Sequence, residues 1–359
     1  MIDVAKGLSI LLVVLGHNSI FGAHQPAIAS ALSAFRVPFF FFIAGVVFSP
    51  QHKTLWQILL RNADAWLKPA LVVTVGMGLV GIITGKVAFE SILLAVTYAT
   101  GFTLFWPALW FLPHLWLVCG FSAGLLIHGK GLVDNGFKKT VLLVVLAALG
   151  FLAINLFDEP IANHACYRQT SFSPMLAECG LPFSADLLFV TSFFFLGGHF
   201  LSSLVKRFRC TPAMLGLALL ALGLLIGLPA LPTDLNFRIY SNVLTSPLRA
   251  VAGIFLMLCL CDVLARAAWV TGFFSAVGQR SLFILIFHLP VVFLLVRNLP
   301  RFIDSPLLVG VAAYVVPLAW SALLYEVVMR SRLLRAVMLP VKSNSPRTAP
   351  EAVQPTSSH

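Results

Sequence analysis

Asp3-Val4-Ala5-Lys6-Gly7-Leu8-Ser9-Ile10-Leu11-Leu12-Val13-Val14-Leu15-Gly16-His17 sits in a stretch, residues 1–21, that is otherwise fit to enter a lipid bilayer. A charge near the bilayer centre costs about 2.5–3.5 kcal/mol on insertion scales, so an ionisable residue in a span usually has a task or a partner. Lys6 and His17 are eleven positions apart. On a helix they fall within about 20° of one face and about 16.5 Å apart along the axis. They cannot touch, but they can line one path at two depths, with a cation at its mouth and a titratable ring deep inside.

Composition carries this reading outward. Hydrophobic residues make up 59% of the 359 positions and charged residues 10%, with a mean hydropathy of +0.96. Soluble domains carry about 25% charged residues, so the chain is an all-α polytopic membrane protein, not a water-soluble fold. Its net charge of +11 then reflects topology and does not point to nucleic acid. No basic n-region precedes the first apolar run, which reads as a retained first span, not a cleaved signal.

At about twenty apolar residues per crossing, ten transmembrane helices are expected near 4–22, 28–48, 67–85, 107–127, 140–157, 183–203, 212–230, 244–264, 279–298 and 307–328. Both termini are expected in the cytoplasm. Most of the 24 basic residues then face it: Lys53, Arg61 and Lys68; Lys130, Lys138 and Lys139; Lys206, Arg207 and Arg209; Arg266 and Arg280; and the tail from Arg330. That asymmetry obeys the positive-inside rule. Residues 91–105 are apolar enough for an eleventh crossing, but accepting it puts Lys138, Lys139, Arg207 and the tail outside, so the segment reads as re-entrant or interfacial. Residues 1–330 form the membrane domain, and 331–359 read as a disordered cytoplasmic tail rich in Pro and Ser. Cys166 and Cys179 share the long outer loop, where they either pair in an oxidising compartment or remain two thiols.

His17 is the leading candidate for a general base, because a neutral imidazole can take the proton of an attacking hydroxyl. The alternative is a ring satisfied by helix backbone. Gly16 permits close backbone approach, and Asn18 brings a hydrogen-bond donor. Lys6 serves as a cationic partner or snorkels, paired with Asp3. Arg36, in Phe35-Arg36-Val37-Pro38-Phe39-Phe40-Phe41-Phe42, is always charged and can hold an acid, an oxyanion or a sugar oxygen. Trp110 and His114, in Trp106-Pro107-Ala108-Leu109-Trp110-Phe111-Leu112-Pro113-His114, belong to an interfacial aromatic belt or face a sugar. His288, His199, Arg280, Asp186, Arg249, Asp262 and Glu326 are read mostly as structural partners of one another, with His288 and Arg280 singled out weakly for function. No metal-ligand cluster, phosphate-binding glycine motif or nucleophile elbow is present, so no metal is expected.

These residues carry a resemblance. Asp3-x-x-Lys6-Gly7 followed by Leu15-Gly16-His17 resembles the opening of the membrane acyltransferase-3 family, where a basic residue precedes a catalytic His by ten intervening positions. The run from Phe35 to Phe41, the Trp110-Phe111-Leu112-Pro113 segment and Ser281-x-x-Ile284-x-x-x-His288-x-Pro290 look like its later motifs, in order over residues 1 to about 330. The resemblance implies transfer of an acyl group, usually acetyl, from cytoplasmic acetyl-CoA to a hydroxyl of a glycan or lipid-linked saccharide across a bacterial inner membrane. It maps His17 to the general base, Lys6 to the basic partner and Arg36 to the second-span motif. Many members carry Arg-x-Arg near the third span, and this chain departs from that with only Arg61 and Lys68, which on its basic cytoplasmic face are the expected contacts for the anionic donor. Ala44-Gly45 replaces the usual Ser-Gly. The rival class is a transporter or exporter of a polar solute, which also uses lone intramembrane ions and broken helices, although the two halves show no repeat. A membrane scaffold leaves His17, Lys6 and Arg36 unexplained.

Overall fold

Helix α1 (Ile2–Gly16) stops at His17 and the chain restarts as α2 (Ser19–His24). Asn18 makes the break. Its Oδ1 accepts the Phe21 N–H at 3.2 Å, while its Nδ2 donates to the Gly310 carbonyl at 2.8 Å. A backbone break at membrane depth is tolerated only where protein or a cavity satisfies it, and here it falls at the histidine. The computed structural model describes residues 1–157, 166, 169–227, 233–240, 242 and 244–341; the tail beyond 341 lies outside them.

The longer α-helices among the described residues continue as α3 (Pro26–Val47), α4 (Leu55–Asn62), α5 (Lys68–Ile83), α6 (Phe89–Tyr98), α7 (Phe111–His128), α8 (Gly136–Asn155), α9 (Leu188–Phe200), α10 (Pro212–Gly227), α11 (Thr245–Leu264), α12 (Ala268–Gln279), α13 (Ser281–Asn298), α14 (Pro306–Arg330) and α15 (Arg332–Met338). A two-stranded antiparallel hairpin, β1 (Thr233–Asp234) and β2 (Ile239–Tyr240), sets Thr233 opposite Tyr240. Among the described residues, eight helices are long and apolar enough to cross a membrane. The expected first and seventh spans overlap α1 and α10, which at 15 and 16 residues are shorter than the expected crossings. Helix α6, with ten residues, is about 15 Å long, half a hydrocarbon core.

Burial sorts the helices into a core and a lipid-facing ring. Of the spanning windows, 61% of Leu176–Phe200 and 56% of Pro107–His128 are buried, against 17% of Gly136–Asn155 and 22% of Pro306–Arg330. Helix α3 lies at the centre, against α1, α9 and α11. Between helices in lipid, close packing replaces the hydrophobic drive, so small residues mark the tightest crossings. Gly45 of α3 sits on the Phe195 carbonyl and Gly198 of α9 on the Phe42 carbonyl, each with no room for a Cβ.

Two segments differ from their expected roles. Residues 264–279, read as a loop, contain α12, which lies against α1 with Gly7 seated on the Phe274 carbonyl. Helices α4 and α5 run on as one 29-residue helix through a π turn, Ala63–Leu67. Lys68 donates to Asp64 at 2.6 Å and to the Leu339 carbonyl at 2.7 Å, and Asp64 accepts the Val341 N–H at 2.6 Å. The end of the described chain is thereby tied to α5.

The opposite end of the bundle is laced from distant segments. Cys166 and Cys179 form a disulfide. Tyr98 donates to the Gly180 carbonyl at 3.0 Å, and the Phe172 N–H donates to Glu90 at 2.9 Å. Arg238, fully buried, grips Asp186 with two donors at 2.9 and 3.2 Å and the Asn236 carbonyl with a third at 2.7 Å. Asp186 also accepts the Leu181 N–H at 2.8 Å. Of the residues read as partners of one another, Arg280 pairs with Glu326 within that set, whereas Asp262 pairs outside it with Arg209 and Arg266.

Candidate active site

Where α1 ends, its last residue decides what can lie beside His17. A Cβ on Gly16 would overlap the guanidinium of Arg36, so the absence of a side chain lets that cation cross the end of α1. Arg36 projects from α3 one residue after Phe35, which is buried against Gly253 of α11. Its Nη2 lies 4.0 Å from Oδ2 of Asp234 on β1. Burial pushes the Asp234 carboxyl above its ordinary range, and the nearby Arg36 charge opposes part of that shift.

These groups enclose a cavity of about 260 Å³ lined by His17, Arg36, Phe40, Trp110, Asp234 and Asn236 among others. The His17 ring is half-buried in its wall, and among the described residues no side chain or backbone group hydrogen-bonds it. Trp110 comes from a 3₁₀ turn, Pro107–Trp110, in which Pro107 supplies the preset φ of a first helical position. The ring of His288 stands behind His17, centroids 5.3 Å apart. A carbonyl only accepts, so His288 donates from Nδ1 to Ile284 O at 2.6 Å, which leaves Nε2 as the acceptor of the neutral ring. That Nε2 is buried and has no partner among the described residues.

Of the residues singled out in the sequence, the structure brings His17, Arg36 and Trp110 to one cavity and sets His288 against His17. Asn18 belongs elsewhere: both ends of its amide hold the α1–α2 break, so it is not available to a reacting oxygen in this arrangement. His114 is fully buried and bonded at both ring nitrogens, to the Phe183 carbonyl and the Thr191 hydroxyl, each at 3.0 Å. The Phe183 carbonyl accepts from Nδ1–H, and the Thr191 hydroxyl beside Nε2 also donates to the Leu187 carbonyl at 2.9 Å. That ring fastens α7 to α9. Lys6 is exposed at the other end of α1, 3.4 Å from Asp3. Arg61 is exposed on α4, and Lys68 is held by Asp64.

Asp234 and Asn236 were missed. Their only sequence signal is an acid and an amide in a short loop between apolar runs, and the partner that gives Asp234 meaning lies about two hundred positions earlier. Arg238 puts them in place, because its grip on Asp186 and on the Asn236 carbonyl pins the hairpin over the cavity.

A helical bundle with an imidazole and a guanidinium around an internal cavity can remove a proton from a hydroxyl and hold the anion that follows, which is the chemistry of acyl transfer. Residues 1–326 match the acyltransferase-domain family, so this integral-membrane chain is an acyltransferase. The chain belongs to the acyltransferase-3 family. Neither curated proteins nor solved structures gave a match.

Proposed function

We propose that the protein is an O-acetyltransferase of a bacterial inner membrane, moving acetyl from cytoplasmic acetyl-CoA to a hydroxyl of an envelope or exported polysaccharide or its lipid-linked precursor. The observation that carries this reading is the His17 ring, free of hydrogen bonds among the described residues and exposed to a cavity beside Arg36. His17 takes the proton of the acceptor hydroxyl as its oxygen attacks the thioester carbonyl. The tetrahedral oxyanion forms next to the Arg36 guanidinium, whose fixed charge stabilises it. The carbon–sulfur bond then breaks, the ester is left on the acceptor, and the coenzyme A thiolate takes the proton back from His17. Atoms and charges balance without a metal.

The basic end of the bundle supports donor entry on that side. Coenzyme A is polyanionic, and Arg61 and Lys6 are exposed cations there that can meet its phosphates. Lys68 contributes by ordering the α5 entrance through Asp64 and Leu339, and reaches the donor only if that tie opens.

The test is His17→Ala, assayed with radiolabelled acetyl-CoA in membranes. Label transfer to envelope carbohydrate should fall by at least about a hundredfold while the protein stays in the membrane. Transfer at the wild-type rate would refute the assignment.

A further inference from the structure

Helix α13 carries one side chain that the chemistry proposed above does not use. His288 is wholly buried, and its Nδ1–H is committed to backbone, 2.6 Å from the Ile284 carbonyl and 3.1 Å from the Leu285 carbonyl. Two carbonyl acceptors fix the neutral tautomer, with the proton on Nδ1 and a lone pair on Nε2. That Nε2 is buried with no partner among the described residues. Buried polar atoms in folded proteins are nearly always hydrogen-bonded, so an orphan calls for an explanation. Among the described residues, the aromatic ring in contact with His288 is that of His17, with centroids 5.3 Å apart and planes tilted by 43°. Leu285, one turn earlier on α13, lines the cavity, so His288 stands behind His17 and away from whatever enters there.

We infer that His288 is a positioning residue for His17: its Nε2 accepts the N–H of the His17 ring and so selects the tautomer whose lone pair faces the acceptor hydroxyl. The inference rests on the acyltransferase reading and assigns that site a further residue. A neutral imidazole has one N–H and one lone pair, and in a fixed orientation only one of its two tautomers can act as the base. An acceptor behind the ring decides between them, as a buried carboxylate does in the serine-protease triad. Here the acceptor is neutral, so no second ion enters an apolar bundle that already holds Arg36 beside the cavity. In the structure no hydrogen bond joins the two rings. Rotation of His17 about its Cβ–Cγ bond closes one, and catalytic hydrogen bonds often tighten only once substrate is bound. When His17 takes the hydroxyl proton on its cavity-facing nitrogen, the N–H toward His288 becomes a charge-assisted donor and strengthens. The proton leaves from the same nitrogen, to the coenzyme A thiolate, and His288 neither gains nor loses one.

Two amides test the role, because asparagine places its amide at the level of Nδ1 of a histidine and glutamine at the level of Nε2. His288→Asn retains a donor for the Ile284 carbonyl and loses the acceptor toward His17, whereas His288→Gln retains that acceptor. The protein in lipid nanodiscs is supplied with radiolabelled acetyl-CoA and de-O-acetylated envelope carbohydrate. His288→Asn should lower kcat about ten- to a hundredfold with both KM values unmoved, as expected for loss of a charge-assisted hydrogen bond. His288→Gln should stay within severalfold of wild type. In a His17→Ala background His288→Asn should cost nothing further, because it acts through the ring that is gone. A Gln variant no better than Asn, a loss that falls on the KM values, or full additivity with His17→Ala overturns the inference and leaves His288 a packing residue. Imidazole nitrogen resonances of histidine-labelled wild type, with His17 assigned by difference from His17→Ala, give a reading that needs no His288 variant. One His17 tautomer should dominate, and an even mixture of the two overturns the inference. Wild-type transfer by His17→Ala would instead overturn the parent reading, so the two failures are distinguishable.

Discussion

The Arg36 guanidinium lies across Gly16 so closely that a single methyl group there would overlap it. Arg36 and Gly16 are twenty positions apart in the chain, yet together they decide what stands beside His17. Glycine here supplies space for a neighbouring cation.

Replacing that space should disable the site without unfolding the bundle. Gly16→Ala should lower kcat/KM for acyl transfer by about tenfold or more, because a displaced charge no longer meets the developing oxyanion. Gly76→Ala on α5, where nothing lies within 4 Å of the added carbon, should keep wild-type activity. Paired kinetics of the two variants check the point, and equal losses would refute it.

Charge alone should not replace Arg36. Lysine presents a compact ammonium where arginine presents a planar fork, so Arg36→Lys should keep the protein folded but lose about ten- to a hundredfold in kcat. The readout is kcat under saturating donor and acceptor, and a wild-type value would show that the site needs only a positive charge.

Asp234 stands in the wall of the cavity that the acceptor hydroxyl enters, beside Arg36, and so gives the acceptor step a pH dependence. Burial raises its carboxyl above the usual range, so as pH falls it becomes neutral earlier than an exposed aspartate. Arg36 from α3 and Arg238 within the hairpin are the charges that oppose this shift, and His17 faces the same cavity from the end of α1. Acceptor KM should therefore rise on acidification through that pKa. In Asp234→Asn it should be high and flat, while kcat keeps whatever profile His17 imposes. A KM profile in the wild type identical to that of Asp234→Asn would contradict the assignment.

The Arg238–Asp186 pair should matter first for stability. Both side chains are fully buried, and removing one partner of such a pair strands the other charge at a cost of about 3–5 kcal/mol. Arg238→Ala and Asp186→Ala should each lower the thermal midpoint in detergent by several degrees and reduce activity, because the hairpin carrying Asp234 loses its anchor. The double variant should cost less than the sum of the singles. Strict additivity would show that the two residues act independently.

Much of the fold was legible because a bilayer imposes a length and a polarity that any span must meet. The crossings expected at 28–48, 107–127, 244–264 and 307–328 coincide with helices Pro26–Val47, Pro107–His128, Thr245–Leu264 and Pro306–Arg330. Helix α12 was not legible: its twelve residues are too few to cross, and what holds them is packing against Gly7, which hydropathy does not record. The same limit applies within the site. His17 and Arg36 announced themselves because a charge among apolar residues is costly wherever the chain folds. Asp234 did not, because an acid in a polar loop costs nothing until a distant arginine and a buried wall surround it.

The sequence by itself determined a membrane-embedded helical protein and the ionisable residues that demand a role, since each follows from local chemistry set against lipid. Only the tertiary structure decided which of those residues meet. It took Asn18 and His114 into the framework, left Lys6 beside Asp3, paired Cys166 with Cys179 and carried Asp234 to Arg36. Such meetings depend on how closely helices approach and on where Arg238 pins a loop. Those are properties of distances between segments far apart in the chain, which no local pattern encodes.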